Sequence, residues 1–203
     1  MNKKLLHRIF WTVIVLLSAY YLYRGITFRF FTDGNLDKKA IWYYAHLATA
    51  LAPLLLGPFQ FWTWLRINHT NVHRTMGKIY IVGSLLGGVT ALYLGITIDL
   101  QGSIVPLIFL STVWLFMTTC AWIAIKKGNV VAHRLFMIRS YGLALVFVFL
   151  RLVGDLPQHK LFYFIDSPEL RDTTLEWVSW VIPLLTIEII FAWIPSLRQS
   201  KRG

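Results

Sequence analysis

Two His-Arg pairs, His73-Arg74 and His133-Arg134, are the residues of this 203-residue chain best suited to chemistry. Each follows an asparagine, in Asn71-Val72-His73-Arg74 and in Asn129-Val130-Val131-Ala132-His133-Arg134, and each leads into a long apolar run. Imidazoles on separate helices at one depth are what a haem b requires as axial ligands, with arginines to meet its propionates. On that reading His73 and His133 are the metal ligands, bound to haem iron. A quinone head group could use the same residues. A second reading is binding or transport of a small anionic or amphiphilic ligand. Two helix N-termini, each carrying a positive dipole end and a His-Arg pair, would converge near Arg66, Lys126 and Lys127. The third reading is structural: arginine snorkels to lipid phosphates and histidine bonds a neighbouring loop.

Further polar residues sit inside apolar runs, where each is costly to keep and tends to mark function. His46, Ala50, Pro53, Gly57 and Gln60 share one helical stripe. The face continuing from His73 carries Gly77, Tyr80, Ser84, Gly88, Ala91 and Gly95, and its small residues allow close approach of another helix or a flat ligand. From His133 the corresponding face carries Met137, Ser140, Ala144 and Arg151. Arg139 lies about 9 Å further in than His133, and Glu188 about as far in from Pro195, which predicts an Arg139–Glu188 contact. That pair either holds the last helix in register or places Glu188 in a proton relay. His46, Gln60, Arg139, Arg151 and Glu188 would line a polar path for a small solute or proton. Transport would require the chain to form a homodimer, and the visible repeat is parallel where transporters commonly use an inverted one.

Several chemistries are unsupported. The one cysteine, Cys120, falls inside an apolar run, so it forms no intrachain disulfide and reads as a small core residue. There is no Gly-rich phosphate loop, HExxH or GxSxG. His159 with Asp155, Asp166, Glu169 and Asp172 is a weak metal signature and reads as a solvated acidic loop, long enough for a short interfacial helix. His7, His69 and His159 read as surface. Whether the protein is an enzyme stays open.

The elements that must position these residues follow from composition. The chain is 57% hydrophobic and 14% charged, against the roughly 25% charged of a soluble domain. Apolar runs of membrane-crossing length recur near residues 10–26, 41–65, 78–98, 104–125, 133–153 and 175–194. They lack the two-residue alternation of barrel strands. The expected fold is therefore all-α: one integral membrane domain over residues 1–203 with six transmembrane helices. On these boundaries both histidines stand at helix mouths. The matching Asn-to-His-Arg segments suggest a duplicated helical hairpin, forming a central four-helix bundle from the second to the fifth helix. Trp42, Tyr43, Tyr44, Trp177 and Trp180 mark one membrane rim, and Trp62, Trp64, Trp122 and Trp193 the other. The first run follows Lys3, Lys4 and Arg8 but precedes no small-x-small cleavage site, so it reads as a retained anchor.

Charge sets the orientation. Lys3, Lys4, Arg8, Arg66, Arg74, Lys78, Lys126, Lys127, Arg134, Arg139, Arg198, Lys201 and Arg202 fall on one side, whose links contain no acid. By the positive-inside rule both termini are cytoplasmic, as in a multi-pass protein of a bacterial inner membrane. The net charge of +11 reads as a topology signal and an attraction to anionic lipids of the bilayer. No nucleic-acid motif is present.

The segments HLATALAPLLLGPFQFW, HRTMGKIYIVGSLLGG and AHRLFMIRSYGLALVFVFLRL resemble the hallmark blocks of a bacterial predicted-membrane-protein family, domain of unknown function 2306. The resemblance covers most of the chain from the second helix onward. It places His46, Gly57, Pro58, Gln60, His73, Arg74, Gly77, His133, Arg134, Arg139 and Arg151 at that family's polar and glycine landmarks. It implies a fold and no activity.

Overall fold

The computed structural model describes residues 3–32, 38–97 and 103–199, which form helices and turns and no strand. Asp33, Asp37 and Asp99 of the expected outer face, and Lys201 and Arg202 of the inner one, lie outside the described residues. The order is α1 (Lys3–Thr32), α2 (Lys38–Gln60), α3 (Thr63–Asn68), α4 (Thr70–Thr97), α5 (Ile104–Lys126), α6 (Val130–Ala144), α7 (Val146–Gly154), α8 (Gln158–Leu161) and α9 (Pro168–Glu188). A π-helical turn (Ile189–Trp193) then leads into α10 (Ile194–Gln199).

Among the described residues five helical stretches are long and apolar enough to cross a membrane: Ala40–Gln60, Thr70–Thr97, Ile104–Lys126, Val130–Gly154 and Pro168–Arg198. The helix α1 carries a shorter apolar stretch, Ile9–Gly25. Two expected boundaries are corrected. The helix bearing His73 starts at Thr70, eight residues before Lys78, and the last begins at Pro168, seven before Leu175. Hydropathy marks the hydrocarbon crossing, whereas a helix continues into the headgroup layer, where polar residues meet no penalty. At 28 residues α4 is about 42 Å long, well beyond the ~30 Å core. The expected 133–153 helix is in fact two, separated by a tighter turn at Leu145, where Val148 N donates to Leu145 O at 2.9 Å.

Local chemistry fixes the ends. Gly128, with φ +74°, takes the left-handed conformation that closes α5, and Asn129 N donates back to Ala124 O at 2.9 Å. The Asn129 side chain then accepts from Ala132 N at 3.0 Å and caps α6. Ser167 caps α9 through Leu170 N at 3.3 Å, with Pro168 in the first turn. The loop after the fifth expected crossing, long enough for a short helix, contains α8.

Helices α2, α4, α5 and α6 pack in a ring in that order, so α4 and α6 face each other across it. The most extensive contact is α2 on α4. Pro53 has no N–H for the Thr49 carbonyl, and Gly83 of α4 lies against Thr49, Ala52 and Pro53. Outside the ring, α9 packs on α5, α6 and α7, while α1 rests on α2 and α7.

The end of the apolar stretch of α1 is tied to the end of α7. Arg24 Nη1 donates to Asp155 at 2.6 and 2.8 Å, and Tyr21 Oη donates to the same carboxylate at 3.1 Å. The hydrogen-bonded guanidinium holds the Asp155 carboxyl below the usual aspartate range, and the tyrosine adds to this. A carboxylate whose value is depressed by folding contributes stability above its unfolded value, and that contribution is lost as pH falls through the folded value. The α1–α7 tie should therefore be constant from pH 8 down to about 4 and weaken below that. Protease cleavage between α1 and α2 in detergent measures it: the rise in cutting at low pH should be absent in Asp155→Asn, which is cut faster than the wild type from pH 8 to about 4 and at the same rate once the wild-type carboxyl is protonated.

Candidate functional site

His73 is the fourth residue of α4 and His133 the fourth of α6. The expectation of histidines at helix mouths is corrected accordingly: both lie at the end of a formed first turn, with His73 N and His133 N already donating to His69 O and Asn129 O at 3.0 Å. The two helices stand across the ring, and His73 lies within electrostatic reach of Arg66, His133 and Arg74.

The rings are held differently. His133 Nδ1 lies 2.9 Å from Ala121 O on α5. A carbonyl can only accept, so Nδ1 carries a proton, and in the neutral ring the lone pair is then on Nε2. His46 repeats the arrangement nearer the opposite end of the ring, with Nδ1 2.9 Å from Gly87 O on α4. His73 differs, because its Nδ1 is buried and has no hydrogen-bond partner.

Two turns beyond the histidines, Tyr80 and Ser140 meet. Tyr80 is fully buried with its hydroxyl 3.2 Å from Ser140 Oγ, which lies 2.8 Å from Thr118 Oγ1 on α5. Each partner stands seven residues beyond its histidine, so matching positions of the two Asn-to-His-Arg segments touch across the ring. Gly77 and Met137, each four residues after its histidine, occupy the level between. Gln60 reaches that level from α2: a Cβ at Gly77 would stand 3.1 Å from its Oε1.

The predicted stripe on α2 faces inward, with Pro53, Gly57 and Gln60 buried and His46 and Ala50 half-buried. The predicted Arg139–Glu188 contact is present. The guanidinium meets the carboxylate through Nε and, at 2.8 Å, through Nη2, while lying over the Phe136 ring. Glu188 directly precedes the π-helical turn.

Other predicted residues do not join this site. Arg151 is half-buried near α1, with Nη1 donating to Phe147 O at 3.2 Å and its guanidinium over the Phe147 ring. Arg74 and Arg134 are exposed beside their histidines, as are Arg66, Lys126 and Lys127. His159 is exposed, and His69 is exposed with its ring against Trp64. Among the described residues no group of three or more His, Cys, Asp or Glu could hold a metal ion, so the acidic loop assembles no such cluster.

Sequence reading overlooked Tyr141, Thr118 and Trp11. Tyr141 follows Ser140 and lies flat against Gly57, where any Cβ would overlap its ring. Its polar tip inside an apolar run was the available signal.

No curated protein and no solved structure matches the chain. The family model described as predicted membrane protein, domain of unknown function 2306, matches residues 43–191, from α2 to the π-helical turn. With its several apolar helices and most of its length inside that match, the chain is a multi-pass membrane protein belonging to the domain of unknown function 2306 family.

Proposed function

We propose that this chain is a six-span redox protein of the bacterial inner membrane, with both termini cytoplasmic, whose His73 and His133 hold a haem b between two parallel hairpins. The observation that carries this reading is the pinned His133 ring. Its Nδ1–H is committed to Ala121 O, the orientation found in histidines that coordinate through Nε2, and it stands across the ring from His73. The residues around the pair suit the group. Gly77, which carries no side chain, and the pliable Met137 each stand one turn beyond an imidazole, and Arg74 and Arg134 are placed for propionates. The paired Tyr80 and Ser140 support the duplication, and the 30-residue length of α1 supports a sixth crossing. A haem held here would supply one-electron transfer. The chain's own groups orient the ligand, exclude water through the Tyr80–Ser140–Thr118 layer, and balance its charge.

A second reading has its own support. The exposed Arg66, Arg74, Arg134, Lys126 and Lys127 share the histidine end of the bundle and form no ion pair among the described residues, an arrangement suited to anionic lipid headgroups.

The test is a reduced-minus-oxidised absorption spectrum of the detergent-purified protein beside a His73→Ala/His133→Ala variant of equal yield. An α-band present in the wild type and absent from the variant is expected. A colourless, folded wild type from haem-replete cells overturns haem binding and shifts the weight to the basic rim, where vesicles with and without anionic lipid then decide.

A further inference from the structure

Buried hydrogen-bonding groups in native proteins nearly always have partners, and inside a bilayer no bulk water supplies them. Where α2 meets α4 and α6, two side chains depart from this. Gln60 is 8% exposed and Tyr141 4%, and Gln60 Nε2 and Tyr141 Oη each lack a partner. Gly57 and Gln60 lie one turn apart on the inward stripe of α2. Tyr141 lies on the first, and the second reaches toward Gly77 of α4. Beside them three aromatic rings from three parts of the chain touch one another, one pair stacked and two tilted. Trp11 of α1 lies on Phe61, just after α2, with centroids 5.6 Å apart and planes at 15°. Tyr141 stands 5.5 Å from Phe61 and 5.9 Å from Trp11.

The chemistry of this set selects its ligand. The amide N–H and the phenol O–H are both neutral donors, so they favour a neutral acceptor over an anion. The neighbouring Trp11, Phe61 and Tyr141 rings favour a ligand that is itself a flat ring. The lipid phase beside α1 is the natural route for an apolar tail. We infer that the α2–α4–α6 seam binds the head group of a membrane quinone, with Gln60 Nε2 and Tyr141 Oη donating to its carbonyl oxygens. The site uses neither His73 nor His133 and stands whether or not a haem is bound, although a quinone here would suit the redox reading.

The experiment uses the full chain in detergent and a benzoquinone bearing a decyl tail, with binding read by saturable quenching of tryptophan fluorescence. It is run on the His73→Ala/His133→Ala background, so that a haem contributes nothing to the signal. Tyr141→Phe and Gln60→Leu are each expected to weaken binding about tenfold or more, the equivalent of one good hydrogen bond. Because each removes a stranded polar group, each is also expected to leave the thermal midpoint of the ligand-free protein unchanged or raised. A merely structural role would not produce these opposed effects. Non-saturable quenching, equal binding of a decyl benzene lacking the carbonyls, or unaltered affinity in both variants overturns the proposal. So does a lowered ligand-free midpoint in both variants, which would assign the donors to internal water.

Discussion

Replacing Arg139 with methionine should destabilise the protein by about 3 kcal/mol, the scale on which an ion left unpaired in a low-dielectric interior costs free energy. The side chains of Arg139 and Glu188 are only 15% and 22% exposed and meet through two guanidinium nitrogens, so loss of one strands the other. Glu188→Met should cost a similar amount. The double variant, with no charge left to strand, should recover most of the loss, because replacing both partners by apolar groups is often neutral. Reversible unfolding of the four proteins in mixed micelles gives the coupling directly. Additive losses in the double variant would mean that the pair adds no coupling, and would return Glu188 to consideration as a lone proton-carrying group.

Gly83→Val is expected to cost about 3 kcal/mol, the upper range for overpacking. A Cβ there would stand 2.7 Å from Ala52 Cβ and 2.8 Å from Thr49 O, and neither neighbour has a flexible end that can swing away. Helices α2 and α4 would have to separate along their most intimate contact. Gly88→Ala serves as the contrast, since its new Cβ meets only the Leu115 side chain at 2.7 Å, which has other rotamers available. A loss at Gly83 several times that at Gly88, read from denaturant midpoints of variants with equal yield, is the expected outcome. Equal, small losses at both sites would show that the α2–α4 contact is looser than described. Such a result would also unsettle the placement of Gln60 over Gly77, since both lie along the same interface.

The features legible in the sequence were those set by the solvent. Long apolar runs must be helical in hydrocarbon because every backbone group has to be satisfied within the segment, so the helical class and the family blocks could be read directly. The inward stripe of α2 and the Arg139–Glu188 pair were also readable, because helical periodicity fixes a face and counting residues fixes a depth. Helix ends were less so. At Thr70 the helix begins in polar residues that hydropathy assigns to a link, and its true start moves His73 from a mouth into a first turn.

What only the tertiary structure decided was partnership. Nothing in the local sequence says that His133 is pinned by Ala121 O, that His46 is held by Gly87 O, or that Tyr80 finds Ser140 across the ring. Those bonds depend on which helices become neighbours. That is settled by where Gly57, Gly83 and Gly87 let backbones and rings approach, a property of two surfaces meeting that neither sequence segment carries alone. The same holds for Gln60 and Tyr141. Their polarity is visible in the chain, but that each is left without a partner follows only from the packing that surrounds it.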